Sequence, residues 1–377
     1  MKLFRKRIKI KKITDGRFQK QINRDTIIIH HYCPHTFNIG DHFVIKSIRK
    51  HLKENLPEAL FIPKACAKNR GWGMPVQLKG ENINQSNQFA DAVIIGGSDQ
   101  YNNWSLRIKK DEITKLNPPL YLIGLGISSA GLDAPPKINK HEYLDDIRQT
   151  NITARYSSVR DKLTQKFLES LGIDKTILTG CPAMYLYDEP FHFKTDGYAA
   201  LTFPFPVIKK NKSELYSDLI ARIENTISII EKAGLEPVIS CHDDRDVFTA
   251  QSFFPERKIF FSNYVDDFVD FYRNAAFVVG SRLHASIFVS GLGKPFININ
   301  IDKRGLGFSE TFNLVDWNLN INDTEFSGKL EQRIQTILKN DLSVFENFYA
   351  LKSEYKNVFK SFISSVADDI RQKLKRD

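Results

Sequence analysis

The tetrapeptide Ser281-Arg282-Leu283-His284 stands directly after an apolar, β-branched run that ends in Gly280. Strand ends and helix starts leave backbone groups without intramolecular partners, so such a junction is where α/β proteins hold ligands. Arg282 adds a full positive charge to a helix N-terminus, and His284 titrates near neutral pH. That combination suits an anionic ligand and a proton transfer. A second guanidinium, Arg160, stands with Asp161 where the run Ser157 to Val159 turns into a helix. Either Asp161 caps that helix beside a solvated arginine, or Arg160 holds a carboxylate or phosphate through two parallel hydrogen bonds.

Three further polar loops end strand-like runs. Asn38-Ile39-Gly40-Asp41 reads as a turn with Asp41 as helix cap, or as a cleft loop in which Asn38 or Asp41 holds an acceptor hydroxyl. In Gly96-Gly97-Ser98-Asp99-Gln100 the paired glycines admit close approach to the backbone, and Ser98, Asp99 and Gln100 are of the kind that bind sugar hydroxyls. His242 is followed by Asp243, Asp244 and Asp246, a conceivable metal set on a loop type that is often merely charged. The stretch His30 to His35 offers imidazoles and the Cys33 thiol, but no second ligand pair stands at zinc spacing, so it reads as a strand end lining a wall. No metal is expected. Neither G-x-G-x-x-G after a strand nor G-x-x-x-x-G-K-[ST] is present, which argues against a dinucleotide or P-loop enzyme.

The elements that position these loops alternate. Short β-branched runs at Thr26 to Tyr32, Asp91 to Gly96 and Leu120 to Gly124 are separated by amphipathic stretches, the pattern of a parallel sheet covered by helices. A second series begins at Gly197 to Phe203 and continues through a helix with Leu215, Leu219, Ile223, Ile227 and Ile230 on one face. Further strands are expected at Pro237 to Ser240, Lys258 to Phe261, Ala276 to Gly280 and Pro295 to Ile299. The fold class is therefore α/β, with two Rossmann-like domains facing across a cleft in a GT-B-like arrangement. The reading divides the chain into a basic arm (1–25), a first domain on the acceptor side (26–190), a second on the donor side (191–330) and a C-terminal helical segment (331–377). After Asp302 the regular alternation is expected to fade.

The chain has 377 residues and a formal net charge of +10. Residues 1 to 20 hold nine Lys or Arg against one Asp, so eight of those ten charges sit in the arm. Leu3, Phe4, Ile8, Ile10 and Ile13 are interleaved with the bases, a composition suited to anionic headgroups as well as to a solvated tail. No basic surface follows, which argues against nucleic acid. No apolar run is long enough to cross a bilayer and no secretory signal is visible, so a cytoplasmic protein is expected, with peripheral membrane contact through residues 2–20 as one role for the arm. The four cysteines form no C-x-x-C pair and fit a reducing compartment.

Four segments together resemble the polysaccharide pyruvyl transferase family: NIGD at 38–41, IIGGSDQYN at 94–102, VRD with the downstream LGI and TGCPAM within 159–184, and SRLHASIFVSGLGKPFI at 281–297. The resemblance implies a GT-B-like fold and transfer of the enolpyruvyl unit of phosphoenolpyruvate to a sugar of a surface polysaccharide or its lipid-linked precursor, forming a ketal. It implies that Arg282, Leu283 and His284 bind the donor, that Arg160 is the family's second arginine, and that Lys303 falls where a family lysine is often found. No metal or organic cofactor is implied. The segment GGSDQYNNW departs from the family's run of glycines, which leaves the acceptor sugar open.

Two other readings stay in play: a GT-B glycosyltransferase using a nucleotide sugar, in which Arg282 holds a diphosphate, and a catalytically silent scaffold that kept the fold.

Overall fold

The computed structural model describes residues 26–33, 38–65, 78, 80–97, 101, 108–128, 141–194, 196–203, 213–341 and 343–374. The basic arm and the loop residues Ser98, Asp99 and Gln100 lie outside the described residues.

The first half runs β1 (Ile27–Cys33), α1 (Ile39–Asn55), β2 (Ala59–Ala65), α2 (Glu81–Phe89), β3 (Ala92–Gly96), α3 (Lys110–Ile113), β4 (Leu120–Leu125), α4 (His141–Thr153), β5 (Tyr156–Val159), α5 (Lys162–Glu169) and β6 (Ile177–Leu178). Its sheet has the order β2-β1-β3-β4-β5-β6, and every pair is parallel. The second half runs β7 (Tyr198–Thr202), α6 (Ser213–Lys232), β8 (Glu236–Ser240), α7 (Asp244–Phe253), β9 (Ile259–Phe260), α8 (Val265–Asn274), β10 (Val278–Gly280), α9 (Leu283–Gly291), β11 (Phe296–Asn300), α10 (Lys303–Thr311) and β12 (Asn318–Asn320). Its order is β12-β11-β10-β7-β8-β9, again parallel throughout. The chain ends in α11 (Phe326–Leu338) and α12 (Ser343–Leu374).

In each sheet the order reverses once, between β1 and β3 and between β7 and β10. At such a switch point the connections leave in opposite directions and open a crevice at the strands' carboxyl ends, where ligands bind. Strands β3, β4 and β10 are buried along their whole length, which is why they read as unbroken apolar runs; β11 is equally buried but carries Asn298 and Asn300.

The halves are joined through α1 and α9. Phe43 of α1 stacks on Phe288 of α9 with ring centroids 3.9 Å apart, and α9 is buried on nearly every side, apolar all round as a helix at a domain interface must be. The long α12 then ties both halves together. Its Phe345 and Phe348 pack on Phe296 of the second sheet, Lys352 donates to the carbonyl of Ser290, and Asp369 accepts from Tyr121 and Arg155 of the first half.

Three elements differ from the expectation. Strand β2 was not legible because Pro63 and Lys64 interrupt its apolar pattern, tolerated here at the sheet edge where Pro and Lys belong. Beyond Asp302 the alternation continues through α10 to β12, the three-residue strand Asn-Leu-Asn at the edge of the second sheet. Helix α1 starts two residues before Asp41, and the cap is Asn38, whose side chain accepts from the amide of Gly40 at 2.9 Å. Among the described residues, no helix is long and apolar enough to cross a membrane.

Candidate functional site

A narrow recess, about 330 Å³ when the solvent at its mouth is counted and about 20 Å³ as a cavity, lies between the switch points of the two sheets. Asn38 and Arg160 line it from the first half; His242, Ser281, Arg282, Leu283, His284 and Arg304 line it from the second. The loops after β1, β5, β8, β10 and β11 thus converge on one place.

Each of its three arginines is tied to a carboxylate. Arg282 donates through Nε to Asp246 at 3.0 Å and through Nη2 to Asp243 at 2.8 Å, with a second contact from Nη2 to Asp246. Arg160 donates through Nε to Asp161 at 3.1 Å and through Nη2 to the carbonyl of Ile127 at 3.1 Å. Arg304 forms a two-pronged pair with Asp302, the residue that caps α10. Fixing one edge of a guanidinium removes rotamer freedom from a long side chain, so a ligand meets donors that are already oriented.

The supporting residues are as constrained as the arginines. Asp161 caps α5 through the amide and hydroxyl of Thr164, both at 2.7 Å. The Arg160 guanidinium lies on Gly126, where a Cβ would come within 2.2 Å of Nε. Gly40, in the first turn of α1, lies against His284, and a Cβ there would approach His284 Nδ1 to 2.8 Å. Burial pushes Asp246 above the usual carboxylate range against the pull of Arg282. Burial acts in the same direction on Asp243, but hydrogen bonding from Arg245 and the charge of Arg282 outweigh it and hold Asp243 low.

His242 ends β8 and is 1% exposed. Its Nε2 shares a 2.7 Å hydrogen bond with the hydroxyl of Tyr272, which is 3.0 Å from Ser240 Oγ. Burial, followed by the positive charges of Arg282 and His284, depresses His242 well below the ordinary histidine value, so the ring is neutral at neutral pH. Its Nδ1, like Ser281 Oγ, is buried with no hydrogen-bond partner among the described residues. Buried polar atoms without partners are uncommon, and both of these residues line the recess.

Of the residues singled out in the sequence, Asn38, Arg160, His242, Ser281, Arg282, Leu283 and His284 therefore meet. Gly40 forms the wall behind His284, and Asp41 is buried one residue further along α1, outside the lining. Gly97, at φ 86°, admits Val44 of α1 rather than a ligand: a Cβ there would be 2.3 Å from Val44 Cγ1. Lys303 opens α10 outside the lining, and its neighbour Arg304 takes the place at the recess. The acidic loop turns Asp243 and Asp246 toward arginines, the opposite of an open metal set. Arg304 and Tyr272 were not foreseen as site residues. Asp302 followed two residues later by an arginine is a legible cap signal for the first, whereas Tyr272 lies mid-helix and carries none.

The family model for polysaccharide pyruvyl transferase matches residues 38–303, from the Asn38 cap to the start of α10. The chain belongs to that family. Comparison with curated proteins gives no match. Among solved structures, the chain is similar to Staphylococcus aureus MnaA in complex with UDP (TM-score 0.55, 13% identity, covering 93% of this chain and 97% of that one). It is also similar to a putative UDP-N-acetylglucosamine 2-epimerase from Listeria monocytogenes (TM-score 0.53, 14% identity, 90% and 94% covered). A third is Medicago truncatula UGT71G1 complexed with UDP-glucose (TM-score 0.52, 11% identity, 93% and 99% covered). At these identities the likeness is one of fold: two Rossmann-like domains in the GT-B arrangement, as expected for the family member.

Proposed function

We propose that this family member transfers the enolpyruvyl group of phosphoenolpyruvate to a sugar of a surface polysaccharide, or to its lipid-linked precursor, and closes it to a pyruvate ketal. The observation that carries the reading is the convergence of three pre-oriented arginines and two histidines on one recess. Phosphoenolpyruvate presents a carboxylate and a phosphate, and two separated guanidinium groups match that pair.

In this mechanism Arg282 grips the phosphate and Arg160 the carboxylate, with Arg304 adding charge at the mouth. His284 delivers a proton to the methylene carbon, which leaves C2 cationic. A sugar hydroxyl then attacks C2 as its own proton departs, the C2–O bond to phosphate breaks, and a second hydroxyl closes the ketal with loss of its proton. One of the two hydroxyl protons replaces that given to the methylene, and the other leaves with phosphate. Asn38, Ser281 Oγ and the neutral His242 are the hydrogen-bonding groups available to orient the acceptor or the leaving phosphate. Asp41 and Asp99 remain acceptor-side candidates at the two loops of the first half. No metal or organic cofactor takes part. In this reading the protein works on the cytoplasmic side, with the basic arm resting on the membrane surface where a lipid-linked acceptor would be found.

The competing reading is a nucleotide-sugar glycosyltransferase, since three of the similar structures carry UDP or UDP-sugar names. Calorimetric titration separates the two. Phosphoenolpyruvate should bind, and Arg160→Gln should weaken it by about tenfold or more, the value of a charge-assisted pair. Binding of UDP with none of phosphoenolpyruvate would reverse the assignment.

A further inference from the structure

A second groove runs along the outer face of α1, between that helix, the edge strand β2 and the start of α8, and is separate from the recess. Its volume is about 1060 Å³, counting the space open to solvent. On the helix side, Lys46, Arg49, Lys50 and Lys53 follow one another at spacings of three, one and three residues, so they share a face about 10 Å long. On the other side stand Leu60, which is 50% exposed, and Phe61. Among the described residues, no carboxylate lines it.

Arg49 is the unusual member. Its Nε donates to Nδ1 of His31 at 3.3 Å, its guanidinium lies 5.8 Å from the Phe61 ring centroid, and its Nη2 is buried with no hydrogen-bond partner among the described residues. His31 accepts at Nδ1 with a neutral ring, so among the described residues no carboxylate pairs with the arginine's charge. Every arginine of the recess, by contrast, has an aspartate. Among the described residues, Lys50 donates to the carbonyl of Leu186 and lies 5.8 Å from the Tyr187 ring centroid, Lys53 donates to the carbonyl of Pro57, and Lys46 pairs with a carboxylate, Asp266 of the second half. A sunken guanidinium without a counter-ion is costly unless an anion completes it.

We propose that this groove binds a phosphate or diphosphate ester carried on an apolar chain, with the phosphate on Arg49, Lys50 and Lys53 and the chain against Leu60 and Phe61. Four cations on one helix face beside the exposed Leu60 and Phe61 give such an ester a place for its charged end and its apolar end in the same groove. The adjoining apolar wall distinguishes an ester of this type from a free phosphate. The site is independent of the reading of the recess.

Farnesyl diphosphate, inorganic diphosphate and farnesol, titrated into the full chain in saturating phosphoenolpyruvate to occupy the recess, test this. Farnesyl diphosphate should bind tighter than either of the others. Arg49→Gln should weaken it by about tenfold or more, and so should the exposed double variant Lys50→Gln/Lys53→Gln, which keeps the test open should Arg49→Gln fail to fold. The uncharged Leu60→Asn should weaken farnesyl diphosphate and leave inorganic diphosphate unchanged. Equal binding of farnesol, or farnesyl diphosphate affinity untouched in the double variant, would overturn the proposal. Inorganic diphosphate binding as tightly as the ester would overturn the role of the apolar wall. Repeating the titration without phosphoenolpyruvate keeps this test separate from the first: the groove should bind equally well either way.

Discussion

Gly40 and His284 meet across the two halves of the chain, so closely that a Cβ on the glycine would fall 2.8 Å from both Cβ and Nδ1 of the histidine. Real Cβ atoms do not sit so near, so the imidazole holds its place only because residue 40 lacks a side chain. Gly40→Ala should displace the ring by a few tenths of an ångström to an ångström and cut turnover by up to about a hundredfold. Overpacking at such a site costs about 1–3 kcal/mol. Steady-state phosphate release beside a thermal melt checks both, and an unaltered rate would show that the ring position is not needed.

Asp246 holds Arg282 in place while also accepting from the amide of His242 at 3.0 Å. Asp246→Ala should leave a buried guanidinium half-paired and lower stability by about 3–5 kcal/mol. The gentler Asp246→Asn keeps the shape and should raise KM for the anionic donor more than it lowers kcat if Arg282 serves binding. A change confined to kcat would place Arg282 in the chemical step instead.

Stability should fall as the medium turns mildly acid. Burial, then Lys64, lowers His30 to about 4, and burial also depresses His242 well below the ordinary histidine value. Both rings are neutral in the folded protein, while the unfolded chain takes up protons below its ordinary histidine value of about 6.5. Stability is therefore complete above that value and is lost as pH falls toward about 4, by up to about tenfold in the folding constant per pH unit for each ring. Urea unfolding at pH 7 and pH 5 measures this. His30→Gln should flatten the slope, and a slope the same in variant and wild type would assign it to other groups.

The terminal helix acts as a clamp. Asp369 accepts from the Tyr121 hydroxyl at 2.7 Å and from Arg155, joining α12 to strand β4 and the start of β5. Asp369→Ala strands a buried hydroxyl and should destabilise by about 1–3 kcal/mol while leaving phosphoenolpyruvate affinity unchanged. Arg155 is 44% exposed at its side chain, so solvent screens the ionic part and the hydroxyl dominates. A loss of donor affinity in this variant would show that the helix reaches the site.

The sequence carried most of the scaffold because buried parallel strands are unbroken apolar runs. Val93 to Ile95 and Val278 to Val279 announce themselves, and Gly280 marks the strand end at the recess, whereas Gly96 packs against His31 and Ile48. The edges were lost for the same reason: Pro63 in β2 and the Asn-Leu-Asn triplet of β12 leave no unbroken apolar run to read. At the site, charge and position located Arg160, Arg282 and His284. Their pairing was not legible, since Asp246 lies 36 residues from Arg282 and only the sheet order brings the loops after β8 and β10 together. The opposite errors share a cause. Gly97 was read as ligand-facing from local spacing, whereas Val44 fills that place, and the acidic loop left open between a metal set and a merely charged loop is turned onto Arg282, both through contacts between distant segments.

The central claim is best tested by following phosphate release from phosphoenolpyruvate with a panel of sugar and lipid-linked sugar acceptors, wild type beside His284→Ala. Release that requires both an acceptor and His284, with the variant still binding phosphoenolpyruvate, is the predicted result. Release that continues at the wild-type rate in His284→Ala, or a wild-type protein to which phosphoenolpyruvate does not bind, would contradict it.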